Sequence, residues 1–178
     1  MIPDRLDAWL PDAVIHTRHR RTAAATPDRL WACARSIRLS DTRTLGRLVR
    51  WRIPGTGAGS TFDGVLRTYP FAVLEEGEHW LVSGLCGRIW TLARDYPRLD
   101  DASRFREWHE PGTVRVLIVH WTNPATDGRA EIVSEARVAP VDRSAALRLR
   151  ALWIGIGPFD RLVGAEGLSA AVRRAEER

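Results

Sequence analysis

Toward the C-terminus, Ala145, Leu149, Leu152, Ile156, Phe159 and Val163 recur at alternating spacings of four and three, which lays one apolar stripe along a helix. Asp142 supplies a cap, and the pattern predicts a helix over 144–175. Gly155, Gly157 and Pro158 interrupt it, and because proline removes a helical hydrogen bond a bend is expected there. The middle of the chain has a different period. Apolar and polar residues alternate over 65–69, 71–75, 79–86 and on through 88–92, as in a meander of antiparallel strands. Two more strands, 113–121 and 129–138, flank the turn formers of 123–128 and make a hairpin, and a short helix is expected over 102–108.

The first third mixes both periods. After a polar leader over 1–12, the β-branched stretch from Ala13 to Arg20 suggests a strand. Thr26-Pro27-Asp28 is a helix start, with Leu30, Cys33, Ala34 and Ile37 following at helical spacing. Ser40-Asp41 can cap a second short helix with Leu45, Leu48 and Val49 inward, ending before Ile53-Pro54. The glycine-rich run 55–60 follows a helix instead of a strand and has neither phosphate-loop nor dinucleotide spacing, so a loop is expected. Together these elements predict an α+β chain. About six or seven antiparallel strands form a curved sheet wrapped around a long C-terminal helix, with two short helices after the first strand.

Composition narrows the picture. A chain of 178 residues fits a single domain over 1–178, with 13–176 as its core. At 44% hydrophobic with eight tryptophans it can bury a core. The net charge of +5 raises the question of nucleic acid, but the arginines are scattered, and the densest run, Arg18-His19-Arg20-Arg21, splits between two faces of a strand. No nucleic-acid partner is expected. Two isolated cysteines make neither a disulfide framework nor a zinc site. No segment reads as a signal peptide or membrane span, so a cytoplasmic protein with no membrane insertion is expected, as monomer or homodimer.

Four stretches go further: Gly84-Leu85-Cys86-Gly87-Arg88-Ile89-Trp90, Glu110-Pro111-Gly112 before a strand, Ser134-Glu135-Ala136-Arg137-Val138, and Trp153-Ile154-Gly155-Ile156-Gly157-Pro158-Phe159. With the element order, they make the chain resemble a bacterial branch of the START-like or SRPBCC helix-grip superfamily, which includes lipid-transfer domains, hormone-binding proteins and polyketide cyclases. The resemblance covers nearly the whole chain. It implies a cavity between sheet and C-terminal helix that takes a small hydrophobic molecule.

Several residues are candidates for chemistry in such a cavity. Strand alternation places His120 at the end of the row Val114, Val116, Ile118, opposite a face bearing Arg115 that is taken as the solvent side. His120 is either a general acid or base or a hydrogen-bonded core histidine. Glu135 is either a cavity base, with Arg137 or Arg88 orienting an anionic substrate, or half of a surface ion pair, while Ser134 lies on the face that would line the cavity. Arg88, in register with Trp80, Val82, Gly84, Cys86 and Trp90, is either a rim residue or a carboxylate clamp. Tyr69, Trp90, Trp153, Ile118 and Ile156 are candidate ligand walls or core filling. No metal spacing or nucleophilic-serine signature is present, so any catalysis is expected to be acid–base and cofactor-free. The function expected is cyclase- or dehydratase-type conversion of a polyketide-like or aromatic molecule, or carriage of a hydrophobic ligand without conversion. An interaction module is a third option.

Overall fold

The structure is a computed structural model that describes residues 6–93 and 96–177, apart from the side chains of 156 and 158–163. Its frame is one antiparallel sheet. The strands are β1 (Ile15–Ala23), β2 (Ala72–Gly77), β3 (Trp80–Gly87), β4 (Val114–Pro124) and β5 (Ala130–Pro140), in the spatial order β1-β5-β4-β3-β2. β4 and β5 are the longest pair, and Asp127 and Gly128 turn between them in the left-handed region, at φ 59 and φ 70.

Helices cover both faces. On the inner face lie α2 (Pro27–Ser36), α3 (Leu45–Arg52), α4 (Phe62–Leu66) and the long α6 (Arg143–Glu176). On the outer face lie α1 (Leu6–Trp9) and α5 (Ala102–Arg106). The caps follow from local chemistry. Thr26 Oγ1 accepts the Arg29 amide at 3.3 Å, and Asp142 Oδ1 accepts the Ala145 amide at 2.7 Å. The Ala145 amide, the Ser144 hydroxyl and the Gly112 amide hold the Asp142 carboxyl below the usual range. Glu166 of α6 caps the start of α3, accepting the Leu45 amide at 2.8 Å and the Thr44 amide at 3.0 Å. Burial opposes its charge, but these amides outweigh burial and lower its pKa. The inner helices are thus tied to each other as well as to the sheet.

α6 packs on β1, β5 and α2 through Ala145, Leu149, Leu168, Ala171 and Ala175, all buried. This is the helix-grip arrangement expected from the sequence, with the helix one residue longer at each end. The expected bend at Pro158 falls where side chains lie outside the described set.

Three expectations differ. The sheet has five strands, because 62–66 folds as α4 behind the Thr61 cap, whose hydroxyl accepts the Gly64 amide at 3.0 Å, and because β3 stops at Gly87 (φ 135) instead of continuing through 88–92. The face of β4 bearing Arg115 is no solvent side. Leu117, Val119 and Trp121 on it are buried with Phe105 and Trp108 in a second core layer. The leader completes that layer, with Leu6, Trp9 and Leu10 at most 5% exposed and the Trp9 indole donating to Glu75 Oε2 at 3.0 Å.

Candidate functional site

Between the inner sheet face and α6 lies a cavity of about 870 Å³, walled by α2, α3, α4 and the turn after β3, and partly open to solvent. Its lining is overwhelmingly apolar, with Trp31, Phe71, Leu81, Trp90, Ile118 and Trp153 forming broad walls. This volume is in the range of small-molecule pockets. A smaller recess between the end of α2 and the end of α6 is charged, and its Arg174 is bound to Asp41 at 3.0 Å.

Four polar side chains of the large cavity, Thr17, His19, His120 and Ser134, share the sheet face, while Arg35, Thr44, Arg52, Asp63 and Thr91 line it from the helices and loops. Register sets His19 of β1 opposite Ser134 of β5, and Ser134 opposite His120 of β4, so the three side chains make a row across adjacent strands. Directly opposed residues stand about 5 Å apart at Cβ, close enough for one ligand to touch neighbours in the row. Thr17, two residues before His19 on the same face, also lines the cavity. His19 lies against α6 where Gly164 leaves room; a methyl group there would fall 2.3 Å from His19 Nε2.

His120 makes no hydrogen bond to any described residue, and the surface it keeps is cavity surface. Burial disfavours its charged form and pushes its pKa down to about 4, while the negative charge of Asp63 pulls weakly the other way. The imidazole is therefore neutral near pH 7, with one ring nitrogen to donate and one to accept. Asp63, also in the wall, is held by Arg67 Nε at 2.8 Å and Arg35 Nε at 3.3 Å. At the mouth, Arg52 ties α3 to the loop beyond β3, donating to the Tyr96 hydroxyl at 2.6 Å and the Ile89 carbonyl at 3.1 Å.

His120, Ser134, Ile118, Trp90 and Trp153 are brought together in the cavity wall. Tyr69 stands one layer behind, its hydroxyl donating to the Tyr96 carbonyl at 2.8 Å. The Ile156 side chain lies outside the described set. Glu135 does not reach the cavity. It is 6% exposed on the outer face, bound to Arg137 Nε at 2.6 Å and facing Arg18 Nε at 3.4 Å, while Arg137 also binds Asp7. The ion pair is buried where a surface one was expected, with Arg137 from the same strand and Arg18 from the adjacent one. Arg88 is exposed and outside the cavity: the face it would share with Val82, Gly84 and Cys86 is the outer one, packed on Phe105 and Leu74, and the strand itself ends at Gly87. Trp90 turns inward because it follows that break.

His19, Thr17 and Asp63 were missed. Alternation puts His19 and Thr17 on one face of β1, but that this face meets the cavity is set by register with β5, and Asp63 needs α4, which the alternation of 65–69 concealed. Of metal-ligating side chains among the described residues, Asp28, Glu78 and His79 gather within 4.8 Å of one another at the surface, away from the cavity, with His79 Nε2 2.6 Å from Asp28 Oδ1.

The sheet, the helix packed across it and the cavity between them make a helix-grip fold. No protein-family model matches the chain, and no curated protein matches it in sequence. Similar solved structures include the Bacillus cereus protein XoxI, at 13% identity over 92% of this chain and 97% of that one, with a TM-score of 0.44. Norcoclaurine synthase from Thalictrum flavum is 11% identical over 94% of this chain and 87% of its own, with a TM-score of 0.40. The Zhui aromatase/cyclase from Streptomyces sp. R1128 is 18% identical over 92% and 94%, with a TM-score of 0.35. Similarity at this level says nothing about what the cavity of this chain takes.

Proposed function

We propose that this chain takes a small, mainly apolar or aromatic molecule into its cavity and moves a proton on it at His120, without a cofactor. The observation that carries the proposal is an imidazole with no described hydrogen-bond partner, set in an apolar wall and held neutral there. The aromatic walls hold the ligand flat against the sheet, and Ser134 and Thr17 hydrogen-bond its polar edge. His120 then accepts a proton from an acidic C–H or O–H of the ligand. Burial makes the resulting imidazolium short-lived and Asp63 partly offsets that cost, so the proton passes on to a neighbouring ligand oxygen. Proton shuffling of this kind suits cyclisation or dehydration of a polyketide-like molecule. Glu135 and Arg88 take no part.

A second reading, carriage without conversion, is favoured by the low proton affinity of His120 and by the engagement of Asp63 with Arg67 and Arg35. One experiment separates the two. Native mass spectrometry of the purified protein identifies a retained molecule, which is then incubated with wild type and His120→Gln. Conversion by wild type alone, with binding kept in both, supports the proposal. Recovery of the molecule unchanged from wild type supports carriage, and equal conversion by both removes His120 from the chemistry.

A further inference from the structure

The mouth of the cavity carries side chains that enclosing a ligand does not require. α3 presents Leu48 and Trp51, one turn apart, at 44% and 57% exposure, and Leu92, from the loop after β3, is 76% exposed. All three belong to the cavity lining, so the apolar interior continues onto an apolar rim, with Arg52 and Thr91 beside it. Singly exposed apolar residues are ordinary, but a cluster around an opening marks a contact surface.

The segment that carries the α3 part of this rim has charge of one sign. From 42 to 62 the chain has four arginines, Arg43, Arg47, Arg50 and Arg52, and no acidic residue. Arg43, Arg47 and Arg50 are exposed, and Arg52 lies 5.6 Å from the Trp51 ring centroid. The acids nearest this stretch are already paired. Asp41 binds Arg174 at 3.0 Å, Asp63 binds Arg67 and Arg35, and Glu166 binds the backbone amides that open α3.

We propose that this rim docks on the surface of an anionic lipid bilayer, with Leu48, Trp51 and Leu92 entering the headgroup boundary and Arg43, Arg47 and Arg50 meeting lipid phosphates. Tryptophan and leucine beside arginine, on a short helix lying along the surface, is the composition of an interfacial contact. An acidic protein would satisfy the arginines equally well. The bilayer is favoured because the exposed apolar side chains continue into an apolar cavity, so a water-averse ligand can pass between cavity and membrane without crossing water. Among the described residues no helix is long and apolar enough to cross a membrane. The docking itself needs no ligand, so it stands or falls apart from the proton chemistry.

The test is cosedimentation of the full chain with vesicles of phosphatidylcholine alone and of phosphatidylcholine mixed with phosphatidylglycerol, at low and physiological salt. Binding is expected to the anionic vesicles only, and to weaken with salt. Arg47→Ala/Arg50→Ala should weaken it roughly thirtyfold. Leu48→Ala/Trp51→Ala should weaken it about tenfold, read on protein whose circular dichroism matches wild type. No binding to anionic vesicles at low salt overturns the proposal. So does binding that the arginine pair weakens but the Leu48/Trp51 pair leaves at wild-type strength, which would mark a purely electrostatic surface suited to an acidic protein.

Discussion

Replacing His120 with glutamine should flatten the acid side of the stability curve. The native imidazole has its pKa pushed down to about 4, against an ordinary value of 6.5, chiefly by burial. Above pH 6.5 it is neutral in both folded and unfolded chains and adds no pH dependence. Below 6.5 the unfolded chain takes up the proton first, so the folded state loses about 1.4 kcal/mol per pH unit until its own pKa is reached. By pH 4 the loss reaches about 3 kcal/mol. Glutamine keeps a polar side chain of similar reach and does not titrate. Other groups titrate alike in both proteins and cancel, so the difference between wild type and His120→Gln should shift by about 3 kcal/mol between pH 7 and pH 4. Urea unfolding at several pH values measures it, as a relative midpoint shift of roughly 1–2 M. Parallel stability curves would mean that His120 titrates as if in bulk water, and the shielded cavity would have to be abandoned.

Other outcomes follow from particular contacts. Glu135→Ala should cost about 2 kcal/mol in urea unfolding, since Arg137 keeps only Asp7, yet leave ligand retention by native mass spectrometry unchanged, because Glu135 is on the far face. Leu10→Ala, in a leader side chain with no exposure, should cost roughly 2–5 kcal/mol; a change within about 0.5 kcal/mol would detach the leader from the core. Gly84→Ala should destabilise by about 1–3 kcal/mol, because its methyl would sit 2.6 Å from Phe105 Cδ2 and 2.8 Å from Leu74 Cδ1. With a thiol reagent near pH 8, only Cys33 should label in the folded protein, since burial pushes the Cys86 thiol up to about 12; full labelling without denaturant would contradict the outer core layer.

The fold was legible where a face is simple. The α6 stripe, the Thr26-Pro27-Asp28 start and the β4–β5 hairpin each rest on local periodicity or capping, and each lies within a few residues of its expected place. Alternation misled where a sheet is covered on both sides. Leu117, Val119 and Trp121 carry no mark of which core they enter, and Arg115 beside them suggested solvent although its guanidinium only reaches out to Asp12 at 3.1 Å. The same ambiguity hid α4, where Val65 and Leu66 fit a strand as well as a single helical turn. In the site, His120 and Ser134 followed from counting residues along strands of fixed phase. Arg88 failed because the face it was counted onto, with Val82, Gly84 and Cys86, is the outer one against Phe105, and because the strand ends at Gly87. His19 joins the site through register between β1 and β5, a long-range fact that no local pattern contains.

The cavity can be filled from its own wall. Ala136 lines it between strands that need not move, and Ala136→Trp would place an indole where a ligand is expected. Native mass spectrometry of both proteins, as purified and after addition of 2-naphthol, tests the enclosed site most directly, with circular dichroism to confirm the fold. Wild type should carry one small-molecule adduct and folded Ala136→Trp none. Equal adducts on both, or none on wild type at saturating naphthol, would contradict an apolar binding cavity between the sheet and α6.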